Sequence, residues 1–261
     1  NMEWRTAWSG SVMEDLYKDA TACKNEKIRM LDVEANPQRQ PTTIPASELK
    51  WDYARSKTIR TFSALGYIFG EKMQRELDCP VGLISTAVGG SILEYWLDSA
   101  TYAVLKEKVN VVTDPNNPLF TPSLGWNGVI YPLLGYNVRG VLWYQGCSNT
   151  LGTQGEYHIG MEMLIHQWRT AFANPNLFFL TYELARYNQN PYAYSVINER
   201  LHYVANHTEN VAVVANLDMG EWNNIHPQDK RPGKTGGGCG TRQVVRTCRG
   251  VACTTCIQEK N

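Results

Sequence analysis

The apolar residues Ile59, Phe62, Leu65, Phe69, Met73 and Leu77 recur at steps of three and four, which predicts a helix over residues 56–77 with one buried face. Cys79-Pro80 ends it, because a proline disfavours helical geometry in the residue before it. Residues 81–87 are then an almost unbroken apolar run that closes on Gly89-Gly90, the pattern of a buried strand entering a tight turn. Residues 138–144 repeat that pattern and close on Gln145-Gly146, and Tyr157, Met161, Leu164, Trp168 and Phe172 mark a second amphipathic helix. Two more short strands are expected over 177–182 and 211–215, with a helix over 195–205 between them. Strand and helix in alternation predict one α/β domain built on a parallel sheet covered on both faces. The Asn-, Pro- and Gly-rich stretch 110–135 is expected to be a long surface loop.

Composition narrows the function classes without choosing one. The 261 residues hold 25 Lys plus Arg against 25 Asp plus Glu, so no global field attracts nucleic acid or an anionic membrane. At 43% hydrophobic and 19% charged the chain is globular in composition, and no apolar run approaches the ~18 residues of a membrane span. The chain opens on Asn1 with no charged-then-apolar segment behind it, which implies a start that is processed or missing. Its seven cysteines are uneven: Cys23, Cys79 and Cys147 are scattered, whereas Cys239, Cys248, Cys253 and Cys256 crowd into the end. An odd count in a chain of this length argues against a complete disulfide framework.

Ligands of a parallel α/β sheet bind beyond the carboxyl ends of its strands. Those ends carry Gly89-Gly90-Ser91, then Gln145-Gly146-Cys147-Ser148-Asn149, then the loop over residues 218–226. Glycine N–H groups and an Asn amide can face an oxyanion and a histidine can act as base, so this set suits acyl transfer. It lacks the ligand density of a metal site, a Walker-type phosphate loop and the Gly-x-Ser-x-Gly nucleophile elbow. Neither a metal nor an organic cofactor is implied.

Four ordered motifs carry a family resemblance over residues 1–230: Asn1-Met2-Glu3-Trp4, the run from Val81 through Ser91, Gly140-Val141-Leu142-Trp143-Tyr144-Gln145-Gly146, and Gly220-Glu221-Trp222-Asn223-Asn224-Ile225-His226-Pro227. Together they resemble the sialate O-acetylesterase (SASA-type) carbohydrate esterases of the SGNH hydrolase superfamily. The resemblance implies a three-layer α/β/α fold of flavodoxin-like type whose first strand lies outside this chain. It also implies a serine nucleophile directly before Asn1, His226 as general base, and Gly90 N–H and the Asn149 amide as oxyanion donors. Glu94, Trp96, Trp143 and Gln145 would line or brace the substrate pocket. An O-acetylated sugar or glycan is the partner it implies, in an extracytoplasmic setting.

The chain departs from the family pattern in three places. Cys147 stands where the family has Glu in Gln-Gly-Glu-Ser-Asn, and Asn224 stands where it has Asp two residues before the histidine. An Asn can accept from the imidazole N–H but supplies no negative charge, leaving Asp218 and Glu221 as the other candidates for the acid. Cys147 reads as a drifted position rather than a thiol nucleophile, since no histidine is near it in sequence. In the tail, over residues 231–261, Gly236-Gly237-Gly238 and four cysteines replace any helical period. A frame error or unrelated splice explains that better than a zinc knuckle, because only Cys253 and Cys256 have ligand spacing.

Each site residue also has a plainer reading. His226 outside its motif would be a surface or capping histidine, and Asn149 could cap a following helix. Trp143 is a core aromatic by default, and His158, His166 and His202 read as structural. The leading expectation is a carbohydrate O-acetylesterase acting through serine and histidine. Its rivals are a non-catalytic descendant that binds acetylated glycans, and a lipase or thioesterase of the same superfamily.

Overall fold

Ahead of the first expected helix the chain forms two strands that the hydrophobic pattern does not announce, β1 (Asn25–Asp32) and β2 (Asp52–Ala54). The structure, a computed structural model, describes residues 1–19 and 23–231. The Gly-rich end and Cys239, Cys248, Cys253 and Cys256 lie outside the described residues. The first five residues lead into a 3-10 segment, Thr6–Leu16, broken by non-helical geometry at Gly10 and Met13.

The expected helix over 56–77 is two helices, α1 (Ser56–Thr61) and α2 (Ala64–Leu77). Its period was right; its continuity was not. At the break, Phe62 carbonyl accepts from Thr6 N–H (3.1 Å) and Ala64 N–H donates to the Trp4 carbonyl (2.9 Å). The freed backbone groups are thus satisfied by the N-terminal segment, a partner no local pattern reveals. Ser63 caps α2 by accepting from Gly66 N–H. Then follow β3 (Val81–Ser85), α3 (Ser99–Leu105), β4 (Gly140–Trp143), α4 (Tyr157–Ala171), β5 (Phe178–Tyr182), α5 (Pro191–His207) and β6 (Val211–Val214).

Two three-stranded sheets result among the described residues, in the orders β2-β1-β3 and β4-β5-β6. The second sheet is parallel throughout; in the first, β1 and β3 are parallel and β2 is an antiparallel edge. Asp32 lies opposite Ser85, and Trp143 opposite Thr181, so the loops after β1, β3, β4, β5 and β6 leave from carboxyl ends. The α/β alternation read from sequence is therefore the architecture. α2 packs on β1 and β3, while α5 packs on β6 and on α4.

The stretch 110–135 is only in part the surface loop expected. Trp126–Ile130 is a π-helical turn whose five residues are all buried, and Tyr131–Leu133 continues it as a 3-10 turn. Trp126, Val129, Ile130 and Leu133 have helical spacing and enter the main core. That core also takes Phe179, Leu180, Leu164, Ile197 and Leu201 from the strands and helices of the second sheet. A smaller cluster of Ile28, Met30, Ile59, Phe62 and Leu83 closes the first sheet against α1. No helix among the described residues is long and apolar enough to cross a membrane.

Candidate active site

Three loops at strand carboxyl ends and the first four residues of the chain meet at one place. After β3, Gly90 adopts φ +81°, a left-handed geometry that a side chain would strain, and a Cβ there would also press on Leu119. Its N–H carries no hydrogen bond among the described residues, whereas Ser148 Oγ donates to its carbonyl at 2.8 Å. The neighbouring Gly89 N–H donates to Glu3 Oε2 at 2.5 Å, which ties the N-terminal segment to this turn.

After β4, Asn149 is a buried junction. Its Oδ1 accepts from Leu93 N–H (3.0 Å) and Gln145 Nε2 (2.8 Å), and its Nδ2 donates to Glu94 Oε2 (3.0 Å) and Thr153 Oγ1 (3.0 Å). Both N–H groups are therefore committed, and the structure does not present Asn149 as an open oxyanion donor. Instead it braces the turns that carry Gly90 and Gln145. Burial pushes the Glu94 carboxyl above its ordinary range, opposed by its backbone hydrogen bond and the bond from Asn149.

The four residues expected at the pocket also brace rather than line it. Trp96 Nε1 donates to Ser91 Oγ, Trp143 Nε1 donates to Tyr157 Oη, and Tyr157 Oη donates to Gln145 Oε1. Gln145 Nε2 reaches back to the Ser91 carbonyl. Glu94, Trp96 and Trp143 are each buried, so they hold the rim from behind. The family resemblance implied these residues as lining or bracing the pocket, and could not say which face would be open.

After β6, Leu217–Met219 forms a 3-10 turn carrying Asp218, and the loop continues to His226. Asn224 Nδ2 donates to Glu221 Oε2, and Asn224 Oδ1 accepts from the backbone N–H of His226, not from its ring. Glu221 Oε1 takes the Gln228 N–H instead. Asn224 and Glu221 thus shape the loop, and the ring of His226 has no hydrogen-bonded acid among the described residues. What holds the ring is Trp4, stacked on it at 5.3 Å between centroids and 24° between planes. Burial lowers the His226 pKa, and Lys230 lowers it further, which favours the neutral, basic imidazole.

Asn1 and Lys230 are the residues that sequence reasoning left out of the site. Asn1 Nδ2 donates to the Ile225 carbonyl at 3.0 Å, and Asn1 Oδ1 accepts from Lys230 Nζ at 2.8 Å. Burial lowers the α-amine of Asn1 to about 6, in the company of Cys147, Lys230 and Glu3. Cys147 is held beside Tyr194, and burial raises its thiol pKa, which disfavours a thiolate nucleophile. The only signals for Glu3, Trp4 and Lys230 were their places inside or just after the quoted motifs. Among the described residues no three His, Cys, Asp or Glu side chains converge as a metal site.

Comparison with known proteins adds a family to this geometry. The profile of the carbohydrate esterases described as sialic acid-specific acetylesterases matches residues 7–236. Sialate O-acetylesterase of Pongo abelii is 28% identical over 155 residues, which cover 56% of this chain and 30% of that protein. The human sialate O-acetylesterase is 26% identical with the same coverage. The matched stretch thus spans under a third of these relatives. Among solved structures, a carbohydrate acetylesterase from Xanthomonas citri superposes with a TM-score of 0.78 at 26% identity, covering 88% of this chain and 51% of that one. A protein from Arabidopsis thaliana shares the fold, at TM-score 0.52 and 16% identity.

Proposed function

The chain belongs to the sialic acid-specific acetylesterase family of carbohydrate esterases, and we propose that residues 1–230 form the hydrolase domain of a carbohydrate O-acetylesterase. The observation that carries this reading is the placement of Asn1. Asn1 Nδ2 donates to the carbonyl of Ile225, the residue before His226, and Asn1 Oδ1 accepts from Lys230 Nζ, so a residue bonded to the Asn1 nitrogen would lie beside His226. A serine at that preceding position would have His226 as its base.

In this reaction the serine oxygen attacks the acetyl carbonyl while His226 takes its proton. The carbonyl oxygen becomes an oxyanion facing the open Gly90 N–H. His226 then gives the proton to the departing sugar hydroxyl, and water releases acetate by the same route in reverse. Asn149 contributes by holding Gln145, which donates to the carbonyl of Ser91 beside Gly90, since its own N–H groups are occupied. With no acid on the ring among the described residues, the Trp4 stack supplies its orientation but not the charge that stabilises an imidazolium. In the Ser-His-Asp template, loss of that acid lowers turnover by about 10⁴. The substrate class is an O-acetylated sugar.

That no carboxylate among the described residues bonds the ring also favours a second reading, a glycan-binding descendant that no longer turns over. Acetate release separates the two. Residues 1–261 by themselves should release acetate only weakly, and the chain carrying Ser directly before Asn1 should release it from O-acetylated sialic acid or acetylated glycosides. His226→Ala in that chain should abolish the release. Binding without release supports the second reading, and preference for long acyl chains over acetyl overturns the sugar-esterase assignment.

A further inference from the structure

Lys230 is the one fully buried cation in the described part of the site, at 1% exposure. Long cationic side chains normally keep their charged end in water, and this one does not. Among the described residues no carboxylate pairs with it at salt-bridge distance; its partners there are the neutral Asn1 Oδ1 at 2.8 Å and the face of the Trp4 ring, 4.9 Å from Nζ. Its backbone is pinned too, with Lys230 N–H on Met13 Sδ and the Gln228 carbonyl on Ser9 Oγ. The 3-10 segment Thr6–Leu16 therefore fixes where the ammonium sits. An incompletely compensated buried charge is costly, and such groups concentrate at functional sites.

Both partners of Lys230 lead to the base. Trp4 stacks on His226, and the Asn1 amide that accepts from Lys230 also donates to the carbonyl of Ile225, the residue before His226. We propose that Lys230 is a positioning residue of the esterase site, clamping Asn1 and Trp4 so that His226 faces the residue before Asn1, and keeping His226 unprotonated by its charge. The catalytic consequence rests on the function proposed above; the clamp and its charge do not. Burial lowers Lys230 to about 7, with Glu221 and Cys147 opposing the shift. Among the described residues, the charged side chain that lowers the His226 pKa is Lys230. As pH falls through neutrality Lys230 takes up a proton, and that cation resists imidazolium formation beside it.

The test is a side-chain NMR titration of the 261-residue chain, following Lys230 through Cε and Nζ and His226 through Cε1–Hε1. In the unmodified chain Lys230 should titrate near neutrality, a readout that needs no variant to fold. Lys230→Met should move the His226 midpoint upward, while Lys230→Arg, which keeps the charge, should leave it low. Titration of Lys230 in the ordinary lysine range overturns the proposal, as does an unchanged His226 midpoint in Lys230→Met. Neither result depends on turnover, so a failure of the esterase reading stays distinguishable. In the chain bearing Ser before Asn1, Lys230→Met should lower kcat with KM for an aryl acetate unchanged. The acid limb of its pH–rate profile should move up; a change confined to KM counts against positioning.

Discussion

Gly90 and Lys230 show how single residues set this site by opposite means, one by having no side chain and the other by burying a charge. Gly90→Ala forces a Cβ onto a backbone at φ +81° with Leu119 at 3.3 Å. The expected cost is about 1–2 kcal/mol in urea unfolding. In the serine-bearing chain a displaced Gly90 N–H should also cut acetate release by roughly 10²–10³-fold, the usual loss for one oxyanion donor. Lys230 makes a prediction about pH. Its folded pKa, about 7, lies below the unfolded value of 10.5, so between them the unfolded chain binds more protons and stability rises with pH. The penalty is fully present below about 7 and is relieved toward 10.5. Lys230→Met should accordingly be more stable than the parent chain at pH 6, by on the order of 1 kcal/mol, with the gain fading by pH 10 in paired denaturant melts. The same substitution should impair the site, a trade of stability for function.

At the level of elements, the break between α1 and α2 sets where the N-terminal segment lies relative to His226. Ser63 Oγ donates to the Met2 carbonyl at 2.7 Å and accepts from Gly66 N–H, so one hydroxyl both caps α2 and anchors the N-terminal segment. Ser63→Ala should cost about 1 kcal/mol by losing the cap. It should also loosen Trp4, seen as faster hydrogen exchange at Ala64 N–H, which bonds the Trp4 carbonyl. An unchanged exchange rate would show that the anchor lies elsewhere. The period of Ile59, Phe62 and Leu65 made both helices legible, because spacing reports which face is buried. It was silent about the break, since the groups that satisfy it come from Trp4 and Thr6. The turn at Trp126–Leu133 was legible in its own spacing, but its Asn-, Pro- and Gly-rich surroundings pointed to a surface loop.

Across the whole molecule, stability rests on the parallel sheet β4-β5-β6 and the helices packed on it, and β5 is its centre with all five residues buried. Phe179, 0% exposed, packs against Trp168 in that core, so Phe179→Ala should cost about 3–5 kcal/mol in equilibrium unfolding. A loss under about 1 kcal/mol would mean that this sheet is not the core that holds the fold. By itself the sequence determined the alternation of strands and helices, the glycine turns at strand ends, and the motifs that carry the family resemblance. These are local properties, written in periods of two to four residues and in turn chemistry. Only the tertiary structure decided that the Asn149 amide is spent on Glu94 and Thr153, that Asn224 serves the His226 backbone rather than its ring, and that Trp4 holds that ring. It alone placed Asn1 against Ile225, across 224 residues of chain, and sealed Lys230 between Asn1 and Trp4. Hydrogen-bond capacity is a property of a residue type, but which partner fills it depends on contacts between segments far apart in sequence.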